Sequence, residues 1–70
     1  MSYSLTISRY GRYLNFDTLE ELKEELSLYF SPREKESGII EKLTNFDNVK
    51  EIDGFKQINY QDYTICCYTE

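Results

Sequence analysis

The sequence predicts an α+β fold in which an antiparallel β-sheet carries two helices on one face. Residues 3–16 and 49–69 alternate apolar and polar residues, as half-buried strands do. Residues 17–30 and 31–46 instead place apolar residues every three or four positions, as amphipathic helices do. The predicted order is therefore ββ-α-α-ββ(β), which is typical of helices packed against an antiparallel sheet.

Residues 1–70 are expected to form a single domain. A chain of this length buries only about 60% of the surface that its unfolded form exposes. It therefore needs efficient packing or a partner. Seven tyrosines and four phenylalanines supply large side chains for that packing.

The first element is a β-hairpin over residues 3–16. Leu5 and Ile7 alternate with hydroxyl residues before the turn, and Leu14 and Phe16 alternate with polar residues after it. We expect the turn near residues 9–12, because Gly11 suits the left-handed position that such loops need.

The first helix is predicted over residues 17–30. Asp17 can cap it, and Glu20 stands three residues later, where it would close a capping box. The apolar face comprises Leu19, Leu22, Leu26 and Tyr29 or Phe30, and the glutamates point away from it.

A second helix start is predicted at Ser31, with Pro32 as the first helical residue and Glu34 as the capping-box partner. Gly38 leaves open whether the ordered helix begins at Pro32 or only near residue 37. The apolar stripe that follows comprises Ile39, Ile40, Leu43 and Phe46.

The remaining residues predict a meander of two or three strands. Asp53 and Gly54 give a strong hairpin signal, and residues 59–62 give a weaker one. Within the last strand, Cys66 and Cys67 would point to opposite faces, so a disulfide between them is disfavoured. We expect free thiols, of which one reacts slowly and the other faster.

Catalysis and cofactor binding are disfavoured by what the chain lacks. It contains no histidine, so a cysteine nucleophile would have no imidazole partner and a zinc site would lack ligands. The three glycines are isolated and form no phosphate-binding loop. We therefore expect a protein that is not an enzyme and has no cofactor and no metal.

The charge distribution narrows the class of partner. The net charge is −5, and residues 17–53, with eleven acidic and five basic side chains, carry −6. Such a chain is poorly suited to nucleic acid or to an anionic membrane surface. No apolar run reaches the 18 residues of a membrane span. These observations favour a partner protein with a basic surface.

Two groups of residues are candidate binding sites. Helix glutamates four residues apart are separated by about 6 Å along the helix axis, which is comparable to two phosphate steps of a nucleic acid. These glutamates are therefore either a mimic of nucleic acid or an ordinary solvated helix face. The hairpin tip (residues 8–13) combines arginine and tyrosine side chains. Such a segment is compatible with a contact to another protein, with binding of single-stranded nucleic acid, or with a turn that has no binding role. The candidates are Glu20, Glu21, Glu24 and Glu25 on the helix, and Arg9, Tyr10, Arg12 and Tyr13 in the tip.

Residues 5–26, "LTISRYGRYLNFDTLEELKEEL", form a hairpin that leads into an acidic helix. This stretch resembles small bacteriophage and mobile-element proteins, some of which inhibit host defence systems, as anti-CRISPR proteins do. The resemblance implies a stoichiometric inhibitor in the cytoplasm of a bacterial host. Such an inhibitor would occlude a nucleic-acid-binding or assembly surface of a host protein, for example a CRISPR effector.

Two alternative functions remain open at this point. An exposed strand edge or the face that carries Tyr68 could pair with a second copy, which would make the chain a structural or homo-oligomerising subunit. The hairpin tip could instead grip single-stranded nucleic acid.

Overall fold

Four antiparallel strands and three short helices make up the protein. The computed structural model describes residues 1–69 and has the α+β fold that the sequence predicts. In chain order the elements are β1 (Ser2–Ile7), a turn of 3₁₀ helix (Ser8–Tyr10), β2 (Arg12–Phe16), α1 (Leu19–Ser27), α2 (Pro32–Glu36), α3 (Ile39–Thr44), β3 (Phe55–Tyr60) and β4 (Tyr63–Tyr68).

The sheet has the strand order β2-β1-β4-β3, and every neighbouring pair is antiparallel. The first and last strands are therefore the two central ones, and each is joined to an edge strand by a hairpin. At the centre of the sheet, Leu5 of β1 lies opposite both Leu14 of β2 and Ile65 of β4. The strands β2 and β3 each keep one edge that pairs with no other strand in residues 1–69.

The hydrophobic core lies on one face of the sheet. Because directly opposite residues share a face, the register places Leu5, Ile7 and Ile65 together on it. Within residues 1–69 the core takes no side chain from the opposite face. The buried core residues are Leu5, Ile7, Leu22, Leu26, Phe30, Ile40, Leu43, Phe46, Tyr63, Ile65 and Cys67.

The start of α1 differs from the prediction by one residue. The cap is Thr18 and not Asp17: the backbone N–H of Glu21 donates to the Thr18 hydroxyl, and the Thr18 backbone N–H donates to the Glu21 carboxylate, both at 3.2 Å. Either pair, Asp17 with Glu20 or Thr18 with Glu21, has the capping-box spacing. With Thr18 as the cap, Leu22 and Leu26 are fully buried against the sheet.

The segment that was predicted to form the second helix contains two helices, α2 and α3. The structure therefore has three helices where the sequence predicted two. The capping box of Ser31 and Glu34 is present and begins α2 at Pro32. Gly38 then adopts the left-handed conformation, with φ of 85°, and separates α2 from α3. No residue of α2 is buried, whereas α3 buries Ile40 and Leu43. None of these helices, over the part of the chain described, is long and apolar enough to cross a membrane.

The C-terminal segment contains two strands, and the turn that joins them lies within residues 59–62, the weaker of the two turn predictions from the sequence. Gln61, with φ of 50°, and Asp62 connect β3 to β4, so that Tyr60 lies opposite Tyr63. Asp53 and Gly54 instead form a tight turn that closes only an isolated bridge between Ile52 and Phe55. The stretch before Phe55 is therefore not a strand.

Two leucines at the end of α1 provide a test of this packing. We expect L26A to lower the free energy of unfolding by about 3 kcal/mol, because Leu26 is fully buried and its truncation leaves a cavity. The matched variant L28A, at a side chain that is 74% exposed, should change it by no more than about 0.5 kcal/mol. Urea denaturation followed by circular dichroism measures both, and equal effects would contradict the core assigned here.

Candidate protein-binding surface

The tip of the N-terminal hairpin contacts the turn between β3 and β4 through an ion pair and hydrogen bonds. The Nε atom of Arg9 lies 3.4 Å from Oδ2 of Asp62, and its terminal nitrogen donates to the Tyr63 hydroxyl at 3.3 Å. The backbone N–H of Ser8 donates to the Asp62 carbonyl at 3.0 Å. The Arg9 guanidinium also lies 5.1 Å from the centre of the Tyr10 ring. Arg9 thus already has an acidic partner within the fold.

The tip also contacts the end of the first helix. A terminal nitrogen of Arg12 lies 3.8 Å from Oε2 of Glu25, and the same oxygen accepts a hydrogen bond from the Tyr29 hydroxyl at 2.8 Å. The rings of Tyr10 and Tyr29 have centres 6.0 Å apart. Burial, followed by the hydrogen bond to Glu25, raises the pKa of Tyr29. The structure therefore joins two candidate groups that are separate in the sequence.

Tyr13 lies apart from the other tip residues. It is opposite Thr6 in the register, whereas Arg12 is opposite Ile7, so their side chains leave the sheet on opposite faces. Arg12 lies on the side of the core and the helices, and Tyr13 lies on the other side with 59% of its surface exposed. The tip residues therefore do not form one binding patch.

The four helix glutamates are not equivalent. Glu21 is engaged in the α1 capping box, and Glu25 is held by Arg12 and Tyr29 with its side chain only 21% exposed. Glu20 and Glu24 are exposed, and neither takes part in an ion pair in the described part of the chain. The expectation that all four point into solvent is wrong for Glu25. Glu20 and Glu24 remain available to a partner.

A groove between β2 and α1 brings three of these carboxylates next to apolar surface. This acidic groove has a volume of about 330 Å³ and is lined by Phe16, Glu21, Glu24, Glu25 and Leu28. Leu28 is the C-cap of α1 and is 74% exposed. Phe16, the last residue of β2, is the strand residue among those that line the groove. The groove therefore offers acidic and apolar groups together.

Phe16 and Leu28 are members of this site that the sequence pattern does not predict. The alternation in residues 3–16 predicts Phe16 only as a strand residue, and it is half-buried. Leu28 is the one leucine of the first helical segment that lies off the apolar stripe, and that offset is the signal that could have indicated an exposed apolar contact.

The acidic groove suits a basic side chain with a long apolar stem. Lys and Arg place their methylene groups on apolar surface and keep their charge near carboxylates. Leu28 and Phe16 can cover such a stem, while Glu24 provides a carboxylate that lacks an internal partner in residues 1–69. The groove thus combines a free carboxylate with apolar surface.

The two cysteines occupy opposite faces of β4, as the sequence predicts, and both are free. Cys67 belongs to the core and is 4% exposed, and Cys66 is 7% exposed on the other face, with its thiol 3.8 Å from the Gln57 side-chain oxygen. Burial raises the pKa of the Cys67 thiol, although nearby Lys56 opposes this. Both thiols are thus buried, and neither is the readily accessible one that the sequence led us to expect.

Among residues 1–69 no group of three or more histidine, cysteine, aspartate or glutamate side chains is placed to hold a metal ion. Comparisons with models of known protein families, with curated protein sequences and with solved structures found no match to this chain. The fold and the acidic groove define a small α+β protein with a surface groove that is acidic and partly apolar.

The burial of the thiols predicts their reactivity. We expect both to react with Ellman's reagent at least about tenfold more slowly in the native protein than in urea. Comparing C66S, which keeps Cys67, with C67S, which keeps Cys66, should show Cys67 to be the slower, because its raised pKa leaves less thiolate at pH 8. Rapid reaction of either native thiol would contradict the packing of β4.

Proposed function

We propose that this protein is a non-enzymatic inhibitor, encoded by a bacteriophage or mobile element, that binds a basic surface of a protein of its bacterial host. In this proposal it occludes a nucleic-acid-binding or assembly surface in the host cytoplasm, for example that of a CRISPR effector. The observation that carries the proposal is the acidic groove, which Glu24 and exposed Leu28 line together with Phe16 at the end of β2.

Each part of the acidic groove would contribute differently to binding. Glu24 in the groove, together with Glu20 one turn earlier on α1 and outside the groove, would attract the partner and set its orientation, since neither is in an ion pair in the described chain. Leu28 and Phe16 would supply the contact from which water is excluded. The β2 edge could pair with an extended segment of the partner through backbone hydrogen bonds.

The contacts of the other glutamates limit mimicry of nucleic acid. A phosphate-like row requires several carboxylates free to face a basic groove. Glu21 is committed to the helix cap and Glu25 to Arg12, so the row reduces to Glu20 and Glu24. We therefore favour local charge complementarity over imitation of a phosphate backbone.

Direct binding of single-stranded nucleic acid is the weaker alternative. Arg9 is paired with Asp62 and Arg12 with Glu25, so phosphate groups would have to displace two internal carboxylates. The separation of Tyr13 from Tyr10 by the sheet also removes the continuous row of rings that a strand would stack on.

Charge reversal at Glu24 tests the proposal. The protein and its variants are immobilised, and a host protein retained from lysate is identified, purified and assayed for nucleic-acid binding with and without the inhibitor. We expect E24K to weaken the interaction about tenfold and rising salt to weaken that of the wild type.

The matched control is E41K, which makes the same change at an exposed glutamate of α3, outside the acidic groove. It should leave the affinity within about twofold of the wild type. The proposal is wrong if E24K and E41K behave alike, or if the retained protein keeps both its full nucleic-acid binding and its assembly with its own partners in the presence of the inhibitor.

A further inference from the structure

The turn before β3 has the geometry of a hairpin turn but is followed by almost no hairpin. Asp53 and Gly54 have φ of 54° and 86°, and positive φ at both central residues is the type I′ geometry that two-residue hairpins favour. The Ile52 N–H donates to the Phe55 carbonyl at 2.9 Å, and the Phe55 N–H donates to the Ile52 carbonyl at 3.2 Å. Within residues 1–69 this pair is an isolated bridge. The turn therefore sets the register of a longer hairpin whose next pairs are not formed.

The backbone of β3 is oriented to accept those pairs. The Gly54 carbonyl accepts from the Thr69 N–H at 2.9 Å on the side of β4, whereas Phe55 makes its two turn bonds on the other side. Because residues of an antiparallel strand alternate in the side to which they bond, Gln57 directs its N–H and C=O outwards, as Phe55 does. No backbone group in residues 1–69 pairs with Gln57 there. The outer edge of β3 thus offers a free donor and a free acceptor.

The residues that this register places opposite each other are complementary. Counting back from the bridge puts Glu51 opposite Lys56 and Lys50 opposite Gln57. Opposite charges that face each other across antiparallel strands stabilise the pairing. The Lys56 ammonium donates to the Phe46 carbonyl at 3.1 Å and carries further donors, so it can also bind a carboxylate. Pairing would therefore add an ion pair without removing the existing hydrogen bond.

Lys50 already lies on the side of β3 that pairing requires. It lines a groove of about 310 Å³ together with Phe55, Gln57 and Asn59. Residues directly opposite each other share a face of the sheet, so a pair of Lys50 and Gln57 would line this groove jointly. Residues 50–52 are all exposed, so they can move towards β3 without leaving the core.

We propose that residues 50–52 are a strap that closes on the outer edge of β3 as a fifth strand and opens again. Closing adds two backbone hydrogen bonds between Lys50 and Gln57 and the ion pair between Glu51 and Lys56. These gains are of the same order as the conformational entropy lost when two residues are fixed, so both states are populated. The open strap leaves the edge accessible to an extended segment of another chain, and the closed strap covers it at Gln57.

NMR spectroscopy of the free, full-length chain tests the proposal. In the closed state Glu51 and Lys56 form a pair without mutual hydrogen bonds, whose Cα atoms lie about 4.5 Å apart, so their Hα atoms should give a cross-strand NOE. We expect this NOE in the wild type. After correction for intrinsic rates, the Gln57 amide should exchange at least about twofold more slowly than that of Asn59, which the strap does not reach.

Two substitutions should move the equilibrium in opposite directions. E51K places two lysines opposite each other and should lower the ratio of closed to open strap about threefold. D53N creates the Asn-Gly pair that type I′ turns favour most and should raise this ratio about twofold. The control E36K makes the same charge change as E51K at an exposed residue of α2, and it should leave the NOE and the Gln57 exchange rate unchanged.

Three results would overturn the proposal. The first is the absence of the NOE between Glu51 and Lys56 from both the wild type and D53N. The second is an equal effect of E51K and E36K. The third is strong protection of the Gln57 amide that E51K does not reduce, which would indicate a permanent strand. Since no partner is present in these measurements, their outcome is independent of the proposed inhibitory function.

Discussion

The chain has enough residues to cover only one face of its sheet, and the rest of the structure depends on this constraint. Leu5 and Ile65 lie opposite each other on the two central strands and are completely buried. They form the centre of a core that receives side chains from α1, α3 and the segments that follow them. Because β1 and β4 must pair to create this centre, the two ends of the sequence are held together.

The same constraint separates the charges from one sheet face. A face with no helical cover must remain stable in water without a core, and small polar side chains bonded to one another meet that requirement. Asn59, which accepts two hydrogen bonds, is an example. The charged residues lie instead on the helices, in the loops and at the strand ends, where Glu24 and Glu41 are exposed. The strand residues on the uncovered face are thus uncharged, and the charge beside them is that of Lys50, which lines a groove with Phe55 and Asn59.

Features set by local patterning could be predicted from the sequence, whereas features set by long-range register could not. Alternation predicted the N-terminal hairpin, and Ser31 with Glu34 indicated a helix start at Pro32, which the structure has, although Gly38 left a later start open. Asp17 and Thr18 are both good caps with a glutamate three residues later, so local chemistry could not choose between them. The acidic groove could not be predicted from the sequence, because only the placement of β2 beside α1 brings Phe16 near Leu28 and Arg12 near Glu25.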